Sequence, residues 1–184
     1  MTAADPPSRS DAGVDADAAI DFDAFYRREI RSVVGLAYTL CGSRSDAEEL
    51  AQTAFADAFR DWERIGRMEK PGAWVRRAVA NRAVSRRRRT ANEALTLVRL
   101  GSRLRDAEPA EPALTVESAA FFAEVRKLPA RQAQVVALHY WEDYSVAEIA
   151  DVLDVSPGTV KTNLHRARLR LAERLGLGTE RTTR

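Results

Sequence analysis

Between residues 156 and 171 the chain sets Thr159, Lys161, Thr162, His165 and Arg166, with Arg168 and Arg170 beside them, against Val160, Leu164, Ala167 and Leu171 at the helical period. Hydroxyl, imidazole and guanidinium groups gathered on one side of a helix donate to base edges and phosphates, which is the chemistry of a DNA groove. A second cluster joins an aromatic to cations. Trp74, Arg77, Asn81 and Arg88 fall on one broad helical face, with Arg82 nearby and Val75 and Val79 on a neighbouring face. An indole stacks on an unpaired base, an amide reads a base edge, and arginines hold phosphates. Residues 76–89 hold Arg76, Arg77, Arg82, Arg86, Arg87, Arg88 and Arg89 and no acid, the electrostatic footprint of a polyanion partner. Composition alone leaves open a packed Trp74 beside a merely solvated arginine face.

These side chains need helices to position them. Ser145 and Glu148 form a capping-box pair, Ile149 and Leu153 mark a buried face, and 154–156 make a turn. Ser156 then caps a second helix with Pro157 at its first position, where the missing N–H costs nothing. This is a helix-turn-helix whose second helix can enter a major groove. Upstream, a helix is expected over 22–41, with Phe25, Ile30, Val33, Val34, Ala37 and Leu40 inward and Gly42 ending it. A second is expected over 45–62, capped by Ser45 with Glu48. A loop follows over 63–72 and a third helix over 73–89.

Residues 90–115 lose the period, and DAEPAEPA at 106–113 reads as an exposed linker. Helical pattern resumes near 115, and Pro129 opens another helix containing Val135, Val136, Leu138 and Trp141. No strand alternation persists. The expectation is an all-α protein: a disordered acidic tail (1–21), one small helical domain (22–89), a flexible linker (90–115), a second helical domain with the helix-turn-helix (116–175), and a short tail (176–184).

Composition excludes several classes. The 184 residues are 45% hydrophobic and 30% charged, with a net charge of +2, which fits a globular chain of one ordinary or two small domains. The single cysteine, Cys41, rules out an intramolecular disulfide and is expected to be a small buried residue. With His139 and His165 on separate segments, no metal-ligand spacing exists, and no cofactor is expected. No apolar run approaches a membrane span and no signal-peptide pattern opens the chain, so a cytoplasmic protein without membrane contact is expected. A nuclease would need clustered acids or histidines, which the basic helices lack. No catalytic residues are expected.

The runs SDAEELAQTAFADAFRDW (45–62), KPGAWVRRAVANRAVSRRRR (70–89) and LPARQAQVVALHYWEDYSVAEIADVLDVSPGTVKTNLHRAR (128–168) resemble bacterial RNA polymerase sigma factors of the extracytoplasmic-function group, which keep only regions 2 and 4. The resemblance covers about residues 22–175. It implies a subunit that binds core polymerase and directs initiation by recognising −35 and −10 elements and opening the DNA.

By position, the resemblance assigns Thr159, Lys161, Thr162, His165, Arg166 and Arg168 to the −35 element, and Trp74, Arg77, Asn81 and Arg82 to the −10 strand. It places Glu48, Glu49, Gln52, Thr53 and Asp57 on the clamp of the largest polymerase subunit, with the flap of the second-largest as a further contact. The 63–72 loop would capture a flipped base, and the linker would thread into the polymerase. An anti-sigma protein is a family-level partner. Thr53 departs from the pattern, since many members carry an acid after the glutamine; this would weaken or retune docking. Two other readings are a stand-alone helix-turn-helix regulator, which predicts tight independent binding to a palindrome, and a polymerase-binding cofactor that does not open promoters.

Overall fold

The computed structural model describes residues 21–99 and 116–177, so the acidic tail, the 106–113 run and residues 178–184 lie outside the described residues. Eight helices and no strand occur among the described residues. α1 (Phe22–Cys41) begins where Asp21 accepts from the Asp23 N–H. It ends at Gly42, whose φ of 80° suits a residue without a Cβ and whose N–H donates to the Tyr38 carbonyl. α2 (Arg44–Arg60) is capped by Ser43, not Ser45. The Ser43 hydroxyl accepts from the Asp46 N–H at 3.2 Å. Gly42 turns the chain so abruptly that the very next residue is already in extended geometry and takes the cap.

The expected 63–72 loop contains a helical turn, α3 (Trp62–Ile65), which takes Trp62 away from the end of α2. α4 (Pro71–Arg99) starts on its proline and continues ten residues past Arg89, into the segment expected to be linker. Residues 90–99 contain no glycine or proline and several good helix formers, so nothing stops propagation despite the lost period.

α1, α2 and α4 pack through Val33, Leu36 and Leu40 of α1, Ala47, Ala51, Ala54 and Phe55 of α2, and Val75, Val79 and Ala83 of α4. The alanines let the helices approach closely. Each fully buried branched or aromatic side chain stabilises this unit by roughly 1.5–3 kcal/mol. Ile30 and Val34 are only half-buried, at the edge of the core. Phe25, Phe55, Tyr26, Phe22 and Trp62 form a ring cluster that ties α3 to the bundle. Cys41 is half-buried instead of fully buried. Its thiol donates to the Ser43 carbonyl, and burial pushes its pKa up.

The second unit comprises α5 (Val116–Val125), α6 (Ala130–Tyr140), α7 (Val146–Leu153) and α8 (Pro157–Arg174). Its core joins Val135 and Leu138 to Ile149, Leu153, Val160, Leu164, Ala167 and Leu171. The two units also meet each other: α1 lies against α5 and α6, and α4 against α6 and α7.

Candidate nucleic-acid interface

The helix-turn-helix is built by local hydrogen bonds. The Ser145 N–H donates to Glu148 Oε2 at 2.9 Å while the Glu148 N–H donates to Ser145 Oγ at 3.3 Å, closing the capping box. Asp154 adopts φ 54° and returns its N–H to Ala150, turning the chain. Ser156 Oγ accepts from the Thr159 N–H at 3.1 Å and Pro157 opens α8. With Val160, Leu164, Ala167 and Leu171 buried, Thr159, Lys161, Thr162, His165 and Arg166 are all exposed. The Thr159 hydroxyl lies 2.9 Å from Ser156 Oγ, so it is partly committed to the cap. Arg168 is exposed but turned back to α6, where its Nε donates to the Tyr140 hydroxyl at 3.2 Å. Arg170 donates to Gln132 Oε1 at 2.8 Å.

On α4, Trp74 is half-buried and packs against the core, with part of its indole left accessible. Arg77 Nε donates to the Val152 carbonyl at 2.7 Å and its Nη2 lies 3.2 Å from Asp154. Asn81 Oδ1 accepts from Gln134 Nε2 at 2.9 Å. All three partners, Val152, Asp154 and Gln134, belong to the second unit. Arg82 pairs with Asp57 of α2, and its Nη1 is buried with no hydrogen-bond partner. The arginine run is thus not one solvated face. Arg86 bridges Asp46 and Glu49, which draws the Glu49 carboxyl below its ordinary range through the Arg86 hydrogen bonds. Arg87 donates to the carbonyls of Arg126 and Leu128.

On α2, Glu49, Gln52 and Thr53 are exposed. Glu48 pairs with Arg44 at 3.0 Å, and the Thr53 hydroxyl donates to the Glu49 carbonyl at 2.8 Å. Asp57 is held by Arg60 and Arg82. Beside Gln52 runs an open aromatic groove lined by Phe22, Tyr26, Phe55 and Phe59, and Phe59 is 62% exposed. Phe59 is not among the site residues read from the sequence. Its signal was its place one residue beyond the buried Ala58, on the rim of the apolar stripe.

Sequence reasoning missed Arg76. It is 6% exposed, with Nε 2.6 Å from Glu142 and Nη1 2.7 Å from Glu29. Its place between Val75 and Val79, in register with Ala80 and Ala83, was the available signal: a cation inside an apolar stripe needs a buried partner. Burial opposes its charge, yet the two carboxylates overcome that and raise its pKa. Burial likewise opposes ionisation of Glu29, and hydrogen bonds from Arg28 and Arg76 reverse the balance and lower its pKa.

Models of Sigma-70 region 2 and Sigma-70 region 4 match residues 25–93 and 119–171, the bundle and the helix-turn-helix unit respectively. The chain is 33% identical over 159 residues to the RNA polymerase sigma-E factor of Streptomyces coelicolor, spanning 85% of this chain and 86% of that one. It is 32% identical to the ECF RNA polymerase sigma factor SigM of Mycobacterium tuberculosis over 84% of this chain and 77% of the relative. The chain belongs to the extracytoplasmic-function RNA polymerase sigma factors. The fold is shared with the sigma factor RpoE of Bartonella quintana, solved with the anti-sigma factor NepR, at a TM-score of 0.68 and 22% identity over 88% of this chain and 99% of that one. As a sigma factor the chain binds core RNA polymerase and directs promoter-specific initiation. The region 2 match over the first unit disfavours a stand-alone regulator. No helix among the described residues is long and apolar enough to cross a membrane.

Proposed function

We propose that this sigma factor selects promoters with two separate surfaces. Region 4 reads the −35 element through Thr162, His165 and Arg166, with Lys161 and Arg168 on phosphates and Thr159 at the leading end. Region 2 holds the unpaired −10 strand through Trp74, Arg77, Asn81 and Arg82. The observation that carries this is the sidedness of α8, whose apolar stripe is buried while the hydroxyl, imidazole and cationic groups stand in solvent. A major groove admits a helix with that profile.

The core-facing surface is the exposed side of α2, where Glu48, Glu49, Gln52 and Thr53 adjoin the Phe59 groove. This pattern suits a partner that offers cations around an apolar ridge, such as the clamp of the largest subunit. Asp57 serves region 2 internally through Arg82. The flap of the second-largest subunit is assigned to region 4. The NepR complex of RpoE supports an anti-sigma protein as a further partner.

The test is transcription from genomic fragments by sigma-free core polymerase with and without this chain, read by sequencing 5′ ends. New discrete starts sharing upstream −35 and −10 motifs are expected. Absence of new starts, with tight binding of the chain alone to palindromic DNA, would overturn the reading.

A further inference from the structure

We propose that His139 and Tyr140, at the end of α6, are positioning residues: they hold the Arg168 guanidinium as a fixed fork against a phosphate beside the −35 element. The role rests on the assignment of Arg168 to a phosphate. Arg168 and Lys161 are seven residues apart on α8, so they fall within about 20° of one another around the helix. Both stand exposed on one flank, between the buried stripe and His165. A helix in a major groove turns one face to the bases and its flanks to the two backbones. The groove is about 12 Å wide, close to the diameter of a helix with its side chains, so a flank cation meets phosphate.

The imidazole of His139 lies between two partners. Its Nδ1 is 2.9 Å from the Tyr144 carbonyl, which only accepts, so Nδ1 carries the proton. A guanidinium only donates, so the Nε2 that faces Arg168 Nη2 at 3.3 Å offers its lone pair. Tyr144 directly precedes the Ser145 cap, and the chain entering α7 therefore sets the tautomer. The Tyr140 hydroxyl accepts from Arg168 Nε at 3.2 Å. Its ring is 50% exposed yet held on two sides, with centroids 4.9 Å from His139 and 5.6 Å from Phe121 of α5.

Both bonds lie on one edge of the planar guanidinium, the edge formed by Nε and Nη2. The other edge, Nη1 with Nη2, presents parallel N–H groups of the kind that two phosphate oxygens accept. The partners are also neutral. Arg76, Arg82, Arg86 and Arg174 are each paired with a carboxylate. Arg168 is instead oriented by an imidazole and a phenol, and keeps its full charge for the DNA. An unsupported arginine loses rotamer freedom when it binds. One already held has lost it beforehand, a difference of roughly three- to tenfold in affinity.

The test uses holoenzyme on a duplex carrying mapped −35 and −10 elements, with affinity measured across a series of salt concentrations. Arg168→Ala is expected to weaken binding and to reduce the slope of log affinity against log salt by about one, as loss of a phosphate contact does. Tyr140→Phe removes one oxygen from an exposed ring. It should weaken binding roughly three- to tenfold with the salt slope kept and the unfolding midpoint of the chain unchanged, a combination that a merely structural role would not give. His139→Gln, whose amide oxygen still accepts, should stay near wild type, while His139→Leu should fall with Tyr140→Phe. Added to Arg168→Ala, Tyr140→Phe should have no further effect. If Arg168→Ala leaves affinity and slope untouched, the phosphate assignment falls and the proposal with it. If Arg168→Ala behaves as expected but Tyr140→Phe binds as wild type, or weakens binding equally once Arg168 is gone, the positioning role alone is overturned. Should His139→Leu unfold region 4, Tyr140→Phe and the double variant decide.

Discussion

The indole of Trp141 occupies the space above Gly35 that any other residue would fill with its Cβ. A glycine of region 2 is therefore shaped by a tryptophan of region 4. Folding of the two units should be coupled through this contact. In calorimetry the wild-type chain is expected to unfold in a single transition. Gly35→Ala should resolve two, with the region 2 transition moved up by the helix propensity gained, about 1 kcal/mol. Coincident transitions in both proteins would mean that the contact does not carry the coupling.

Arg76 is the most buried charged group of region 2. Removing it strands the carboxylates of Glu29 and Glu142, and breaking a buried pair from one side costs about 3–5 kcal/mol. Arg76→Ala is expected to lose stability on that scale in urea unfolding. Glu142→Gln should lose much less, because Glu29 still neutralises the arginine at 2.7 Å. The double variant should fall short of the sum, since the two residues share one interaction.

Legibility in the sequence followed how local each signal was. The capping box at Ser145, the turn, the Ser156 cap and the buried stripe of α8 were all readable, because each depends on residues within one or two turns. The start of α2 was misplaced by two residues because Ser43 and Ser45 offer the same hydroxyl, and the αL geometry of Gly42 decides between them. The end of α4 was misplaced because a lost hydrophobic period was taken for a lost helix. The contact between the two units was invisible. Nothing in a run of arginines shows that Arg76 meets a carboxylate 66 residues away while Arg88 faces solvent. Gly35 likewise reads as an ordinary mid-helix weakness until Trp141 is placed above it.

The two DNA surfaces should fail at different steps. Arg166 and Thr162 are exposed, so alanine at either should leave stability within about 0.5 kcal/mol. Each should cost about 1–3 kcal/mol of promoter affinity, measured as heparin-resistant complexes, with core binding preserved. Trp74→Ala and Asn81→Ala should instead leave promoter capture and lower permanganate reactivity of the −10 thymines, as loss of a stacked base would. Equal loss of both steps in all four variants would contradict the division of labour.

The capping box predicts an acid-sensitive helix-turn-helix. Ser145→Ala removes the acceptor for the Glu148 N–H and should cost about 1 kcal/mol of region 4 stability. Glu148 accepts from the Ser145 hydroxyl at 2.7 Å and from its N–H, and these bonds, the hydroxyl first, hold its pKa below the ordinary 4.5. A carboxylate with a depressed folded pKa binds its proton less readily than the unfolded chain does. Its contribution is therefore complete above about pH 4.5 and is lost as pH falls through the lower folded value. The stability gap between wild type and Glu148→Ala, followed by circular dichroism in urea, should be constant from pH 7 to pH 5 and close below that. A gap that widens in acid would show that the carboxylate is not bonded to the cap in its charged form.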